Sequence, residues 1–123
     1  ALIPEALRTL ISVRISQINE CEFCIDMNSY LYAQATKQMD KINSLNIAQT
    51  SEHFSDQEKV ALEYAENMTY THRTITDALK EKLKLHFSDK AIVELTAIIA
   101  YQNMSSKFNA ALDVKNNGFC KIK

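Results

Sequence analysis

Hydrophobic residues recur every three or four positions along most of the chain, which is the period of an α-helix with one buried face. The first such stripe predicts a helix from about Pro4 to Ile18. Proline suits the first helical position because its missing N–H has no partner there. The apolar positions of this helix are Leu7, Leu10, Ile11, Ile15 and Ile18.

A second helix is predicted to begin after Asn19. Asparagine is a favoured N-cap residue, and Glu22 stands three residues later, where it can complete a capping box. The helix should continue to about Asp40. Its apolar positions are Phe23, Met27, Leu31 and Ala35. The polar residues between Ile42 and Phe54 then predict a connection with about one helical turn.

Three further helix starts are marked by capping residues. Ser55 with Glu58 predicts the start of the third helix, and Thr74 with Asp77 predicts the start of the fourth. Ser88 caps the last helix, which is long and strongly apolar. Its apolar positions are Ile92, Leu95, Ile99, Met104, Phe108 and Leu112. This is more apolar surface than one face of a small bundle needs, so we expect a homo-oligomer.

The chain contains one glycine and one proline in 123 residues. Sheet turns and hairpins depend on these residues, so strands would be hard to connect. With 46% hydrophobic and 24% charged residues, the composition supports a folded core and a solvated surface. The expected fold is therefore all-α: a single domain over residues 1–123, built as a bundle of about five helices.

The net charge of −1 offers no basic field for nucleic acid or an anionic membrane. The uncharged stretch from Leu95 to Ser106 is too short to span a bilayer and contains Gln102 and Asn103. No secretory signal pattern is visible, although the chain starts at Ala1 without a methionine, which leaves a removed leader open. A soluble, cytoplasmic protein is the expectation.

Cys21 and Cys24 supply the candidate chemistry. They fall at the start of the second helix, where residues three apart have Cβ atoms about 5–6 Å apart, close enough for a disulfide after a small adjustment. A helix start also favours the thiolate, which is the attacking species. Glu20, Glu22 and Asp26 oppose this effect with negative charge, and the sequence leaves the direction of the net shift open.

Other roles for the pair have less support. A purely structural disulfide is unusual in a reducing cytoplasm. A zinc site needs two more ligands, and neither Cys120 nor the isolated histidines belong to a second paired motif; the histidines are His53, His72 and His86. Two inert buried cysteines remain an alternative. We therefore expect no metal and no cofactor, and Cys120 is interpreted as an incidental thiol.

Three segments carry a family resemblance: residues 10–28, which include Ser16-Gln17-Ile18-Asn19 and the two cysteines, residues 54–65, and residues 87–109. Together they resemble the carboxymuconolactone decarboxylase family, in particular its alkylhydroperoxidase D-like branch, over nearly the whole chain. Family members usually have one more helix ahead of the position where this chain starts. The decarboxylase branch acts on a lactone without such a cysteine pair and fits less well.

The resemblance implies an all-helical subunit that assembles as a trimer or as a hexamer. It implies a peroxidase cycle in which Cys24 attacks the hydroperoxide and Cys21 resolves the product as a disulfide. A dithiol reductant, which is a lipoyl group in some members, then restores the pair. The same pair can also exchange with the disulfide of a partner protein.

The chain departs from the family at two positions that transfer protons. The family histidine four residues after the second cysteine is Asn28 here, and the family glutamate twelve residues before the first cysteine is Thr9. An amide accepts no proton at ordinary pH, so Asn28 can only orient other groups. Glu20 and Asp26 are the nearest substitute acids in the sequence.

The last helix also departs, because the family often has Trp, Asn and Arg at three of its positions. These positions are Ser105, Ser106 and Lys107 here. Three functions follow from the combined pattern: a thiol peroxidase, a thiol–disulfide reductase or redox adaptor with little peroxidase activity, and a non-catalytic redox-sensing oligomer.

Overall fold

A computed structural model describes residues 1–120, which form helices and connecting turns without a β-strand. The helices are α1 (Glu5–Ile18), α2 (Glu22–Thr36), α3 (Met39–Asn43), a 3₁₀ helix (Leu45–Thr50), α4 (Asp56–Thr69), α5 (Asp77–His86) and α6 (Asp89–Ala111). The predicted all-α class is confirmed. The five longer helices match the predicted five, and the connection contains two short helices where about one turn was expected.

Helix α1 forms the centre of the bundle and packs against α2, α4 and α6. Its buried side chains cover more than one face, as expected for a helix surrounded by others. They are Leu7, Thr9, Leu10, Ile11, Ser12, Val13, Ile15 and Ser16. The sequence predicts Pro4 as the first helical residue. In the structure it is the N-cap, one position before the helix begins. Truncating a buried leucine in such a core costs about 2–5 kcal/mol, so α1 anchors the fold.

The helix starts that depend on local capping agree with the sequence. The capping box of Ser55 and Glu58 is present at α4, and the Ser88 hydroxyl accepts the Ala91 N–H at the start of α6. Helix α5 begins two residues later than predicted. Its cap is Thr76, whose hydroxyl accepts the Leu79 N–H at 3.2 Å, because Thr76 takes the extended conformation of an N-cap.

The junction between α1 and α2 differs from the prediction. Asn19 closes α1 as its C-cap and does not start α2. Glu20 follows in the left-handed conformation with φ 54°, which turns the chain sharply. Cys21 is then the N-cap of α2. The predicted capping box of Asn19 with Glu22 is wrong, because the Asn19 amide donates to α6 residues that are distant in sequence.

Helix α2 ends at Thr36, earlier than the predicted end near Asp40. Lys37 takes the left-handed conformation with φ 60° and donates its backbone N–H to Ala33, which is a usual way to end a helix. The chain then enters α3 at Met39.

The buried positions of α6 follow one stripe, Ala91, Leu95, Ile99, Gln102 and Ser106. A second apolar stripe faces outward along the same helix and its C-cap, Leu112. Its five large side chains are between 58% and 70% exposed: Val93, Tyr101, Met104, Phe108 and Leu112. The surplus of apolar surface that the sequence indicates is therefore present on α6. Within residues 1–120, neither α6 nor any other helix is long and apolar enough to cross a membrane.

Candidate functional site

Cys21 and Cys24 are joined as a disulfide at the first turn of α2, with their Cα atoms 5.2 Å apart. The predicted placement of the pair at the start of the second helix is confirmed. Both residues lie inside the bundle, since Cys21 is fully buried and Cys24 is 3% exposed. The disulfide is therefore local in sequence and is covered by its neighbours in the fold.

The backbone at the start of α2 is arranged around the Cys21 sulfur. As N-cap, Cys21 accepts the backbone N–H of Cys24 with its Sγ at 3.1 Å. Its own carbonyl accepts the Ile25 N–H at 2.9 Å, which begins the helical ladder. Backbone N–H groups at a helix start favour thiolate over thiol, so reduction of the disulfide leaves a donor in place at this sulfur.

The Cys24 sulfur has a different donor, which comes from α6. The side-chain Nδ2 of Asn109 lies 3.7 Å from Cys24 Sγ, within hydrogen-bond distance for sulfur. Sequence reasoning missed this residue, which lies 85 positions away from Cys24. A signal exists in retrospect: Gln102, Ser106 and Asn109 form a polar line at helical spacing, which continues the stripe of buried apolar residues Leu95 and Ile99.

Asn28 lies one turn beyond Cys24 and turns its amide toward the backbone. Its Nδ2 donates to the Cys24 carbonyl at 2.9 Å and approaches Gln102 Oε1 at 3.5 Å. Both partners are acceptors, so Asn28 links α2 to α6 and orients this turn. No bond from Asn28 to the Cys24 sulfur is among the contacts of residues 1–120.

A chain of buried polar groups continues from this point into α1. Gln102 Nε2 donates to Ser16 Oγ at 3.1 Å, and Ser16 Oγ donates to the Ser12 carbonyl at 2.6 Å. In the same helix, the Thr9 hydroxyl contacts the carbonyls of Glu5 and Ala6. Thr9, at the position of the family glutamate, thus bonds within its own helix.

A second branch of buried polar contacts holds the end of α1 against α6. Asn19 Nδ2 donates to Asn103 Oδ1 at 2.9 Å and to Ser106 Oγ at 2.8 Å. Asn103 Nδ2 in turn donates to Thr69 Oγ1 at 3.0 Å, which brings in α4. These hydrogen bonds join the ends of α1 and α4 to α6, and they thereby fix the short turn that carries Cys21.

Asp26 faces the C-terminal segment, by which we mean residues 113–120 after α6. Its two carboxylate oxygens accept the backbone N–H groups of Phe119 at 2.7 Å and Cys120 at 2.8 Å. Burial raises the pKa of this carboxyl, but the N–H groups of Cys120, Phe119, Asn117 and Gly118 together lower it below its usual value. We therefore assign Asp26 to holding this segment on α2, and it is not used as an acid in the function proposed below.

The other two carboxylates near the pair also point elsewhere in the described contacts. Glu22 accepts the Asn116 side-chain amide at 2.9 Å and lies 3.8 Å from the Lys115 ammonium. Glu20 is exposed at the turn between α1 and α2. The contacts described for residues 1–120 thus join neither Glu20 nor Asp26 to the sulfur of Cys21 or Cys24.

A cavity of about 330 Å³ opens between α1, α2 and α6, next to Asn28 and Gln102. Its walls combine apolar and charged side chains, including Ile98, Tyr101 and Arg8. Asn28 and Gln102, which line this cavity, are the amides that link α2 to α6 next to Cys24. A second cavity of about 340 Å³ lies by the C-terminal segment and includes Cys120 and Asp26.

Among residues 1–120, no group of three or more His, Cys, Asp and Glu side chains is arranged to hold a metal ion. The described hydrogen bonds to the two sulfurs come from a backbone N–H at the helix start and from a neutral side-chain amide.

Comparison with known proteins places the chain. The profile of the carboxymuconolactone decarboxylase family matches residues 2–67, more than half of the sequence. The chain belongs to this family. It is similar to the uncharacterized protein YnjA of Escherichia coli K12, with 44% identity over 116 residues that cover 94% of this chain and 64% of YnjA. It therefore spans just under two thirds of that relative.

One further sequence relative and one solved structure are also similar to this chain. The uncharacterized protein YdfG of Bacillus subtilis 168 is 30% identical over 85% of this chain and 72% of its own. The solved structure of ATU0492 from Agrobacterium tumefaciens superposes with a TM-score of 0.88 at 26% identity, over 93% of this chain and 79% of that one. ATU0492 is a protein of unknown function assigned provisionally to antioxidant defence as AhpD. The family member described here thus has an alkylhydroperoxidase D-like fold.

Proposed function

We propose that this protein is a thiol-dependent hydroperoxidase that cycles Cys21 and Cys24 between dithiol and disulfide. The observation that carries the proposal is the Cys21–Cys24 disulfide at the start of α2, where each sulfur has an N–H donor. The family and the likeness to ATU0492 support the same reading.

In the proposed cycle, the Cys24 thiolate attacks the terminal oxygen of a hydroperoxide. An S–O bond forms, the O–O bond breaks, and the alkoxide leaves as an alcohol after taking a proton from water. Cys21 then attacks the Cys24 sulfenic acid, which forms the S–S bond and releases water. Two thiol–disulfide exchanges with a dithiol, for which a lipoyl-bearing protein is the proposed donor, restore both thiols and oxidise that donor.

The side chains that hydrogen-bond to Cys24 are neutral amides, which limits the rate that we propose for the cycle. Asn28 orients the turn by binding the Cys24 carbonyl, while Thr9 bonds within α1. General-base help is worth about 10²–10⁴ in rate, so we propose a slow peroxidase. Deprotonation of Cys24 then depends on the helix start and on hydrogen-bond donors.

Asn28 and Thr9 stand where the family has its proton-transferring histidine and glutamate. Their inability to transfer protons favours a second function, a thiol–disulfide reductase or redox adaptor. Such a protein needs the CxxC exchange chemistry but no proton transfer to a leaving alkoxide. It would reduce a protein disulfide or exchange with a lipoyl dithiol rapidly while turning over peroxide very slowly. The burial of both cysteines favours a third, a redox-sensing oligomer without catalysis.

We also propose a homo-oligomer, a trimer or a hexamer, in the cytoplasm, where a dithiol donor is at hand. The outward apolar stripe of α6 supports the assembly, because exposed apolar area of this extent on a small domain usually becomes an interface.

Thiol counting distinguishes these functions. Reduced protein with Cys120→Ser is treated with one equivalent of tert-butyl hydroperoxide, and its free thiols are then titrated. A peroxidase loses both thiols and gains an intramolecular disulfide, whereas the Cys24→Ser variant keeps its remaining thiol at the same time point. Intact thiols with rapid exchange against lipoamide would select the adaptor, and intact thiols without exchange would select the sensor.

A further inference from the structure

Asn109 occupies the last turn of α6 and is half-buried beside the disulfide. Its backbone carbonyl accepts the Val114 N–H at 3.0 Å, which fixes the end of the helix. Its side chain directs Nδ2 toward Cys24 Sγ at 3.7 Å. The amide is thus presented to the sulfur by a backbone whose own position is held.

The other polar atoms of Cys24 already have partners. The Cys24 N–H donates to Cys21 Sγ, and the Cys24 carbonyl accepts from Asn28. The backbone donor at the helix start therefore serves Cys21, while Cys24 Sγ receives its donor from a side chain. A substitution can therefore remove the donor to the Cys24 sulfur, whereas the donor to the Cys21 sulfur belongs to the backbone and stays.

We propose that Asn109 is a positioning residue that holds the Cys24 sulfur and stabilises its thiolate in the reduced protein. A hydrogen bond to the charged form of a group favours that form. A neutral amide also makes this contribution without needing to be protonated, so it acts at every pH at which the protein is folded. This inference rests on the proposed function only in giving Cys24 the attacking role.

Charged groups on the neighbouring elements do not supply the same donor in the described structure. Glu22 and Asp26 on α2 bond the C-terminal segment, including Lys115. Glu20 and Lys107 are exposed. Arg8 of α1 and Glu94 of α6 line the cavity beside Asn28 and Gln102, and neither has a described contact with the Cys24 sulfur. Removal of the Asn109 amide therefore leaves Cys24 with negative charges nearby and one donor fewer.

The test uses a protein in which Cys24 is the single thiol, made by Cys21→Ser and Cys120→Ser. Its alkylation by iodoacetamide is followed from pH 5 to 10 in this background and with Asn109→Leu or Asn109→Asp. Loss of a hydrogen bond to a charged group should slow alkylation at pH 7 about tenfold and move the profile to higher pH. Asn109→Asp should have the larger effect, because it adds a negative charge.

Matched controls separate positioning from folding. Asn46→Leu and Asn46→Asp make the same changes at an exposed site in the 3₁₀ helix and should leave the profile unchanged. Asn109→Gln keeps the donor and should recover part of the rate. Circular dichroism verifies the fold, and Asn109→Ala, which also lacks a side-chain donor, replaces Asn109→Leu should the leucine variant fail to fold.

A profile for Asn109→Leu that superimposes on that of its parent would overturn the inference. The readout needs no peroxide, so the two proposals fail separately. Peroxide turnover is measured separately, in the protein that keeps both Cys21 and Cys24. A shifted alkylation profile together with no turnover supports Asn109 and removes the peroxidase. An unshifted profile with normal turnover does the reverse.

Discussion

The Asn28 amide donates to the backbone carbonyl of Cys24 at 2.9 Å. The position one turn after the second cysteine thus fixes the geometry of α2 without offering a base to the sulfur. Because an amide stays neutral at ordinary pH, proton transfer at Cys24 has to rely on water. This single contact explains why we propose a slow cycle.

Replacement of Asn28 by histidine should accelerate the reaction with peroxide. The cavity of about 330 Å³ beside Asn28 leaves room for the ring. General-base help predicts at least about a tenfold faster oxidation of the reduced pair by tert-butyl hydroperoxide at pH 8. The gain should fade toward pH 6 as the imidazole becomes charged. Stopped-flow measurements check this, with Asn28→Gln as the amide control; equal rates for Asn28→His and the parent would contradict it.

Asp26→Asn should loosen the C-terminal segment. The folded pKa of Asp26 lies below the usual 3.8, so its stabilising effect is complete well above that value. The effect is lost as the pH falls through the lower, folded-state pKa. The parent should therefore be more stable than Asp26→Asn at pH 7, and the difference should shrink toward pH 2.

Urea unfolding at several pH values measures this difference, and amide exchange of Phe119 and Cys120 reports on the segment itself. Asp40→Asn on α3 removes the same charge at another site and serves as control. A stability difference that stays constant from pH 7 to pH 2 would count against the assignment of Asp26.

Ser55→Ala should destabilise the protein by about 1 kcal/mol, because it removes the side-chain acceptor of the α4 capping box. Ser44→Ala is the matched control, since Ser44 precedes the 3₁₀ helix without a side-chain cap bond. Chemical denaturation gives both free energies of unfolding. Equal losses in the two variants would show that the capping box contributes nothing of its own.

Met104→Lys combined with Tyr101→Lys should break the proposed oligomer. Both side chains belong to the exposed stripe of α6, and two buried ammonium groups would oppose association. Light scattering after size exclusion should show the mass fall to that of one chain. Leu85→Lys, at an 80% exposed leucine of α5, should leave the mass unchanged. A parent that is already monomeric would refute the assembly.

The sequence predicts those parts of the fold that local chemistry controls. Ser55 and Ser88 cap helices as predicted because a cap needs only the next three residues. The cysteine spacing likewise shows, from local geometry, that a disulfide can form, and the structure contains it. Such features can be seen within one turn of helix.

Contacts between residues that are distant in sequence could not be predicted from the sequence. Asn19 has the chemistry of an N-cap, yet its amide bonds Asn103 and Ser106 on α6. Asp26 looks like an acid for the nearby cysteines but holds Phe119, 93 positions away. The donor at Cys24, Asn109, is equally remote in sequence. These pairings depend on how the helices pack, which periodicity does not specify.

Trapping the sulfenic acid of Cys24 tests the central claim most directly. In a Cys21→Ser, Cys120→Ser protein, one equivalent of hydroperoxide in the presence of dimedone should give a single adduct on Cys24, located by peptide mass spectrometry. The companion Cys24→Ser, Cys120→Ser protein should give little adduct on Cys21. No adduct on Cys24, or equal labelling of the two proteins, would contradict a peroxidase cycle that begins at Cys24.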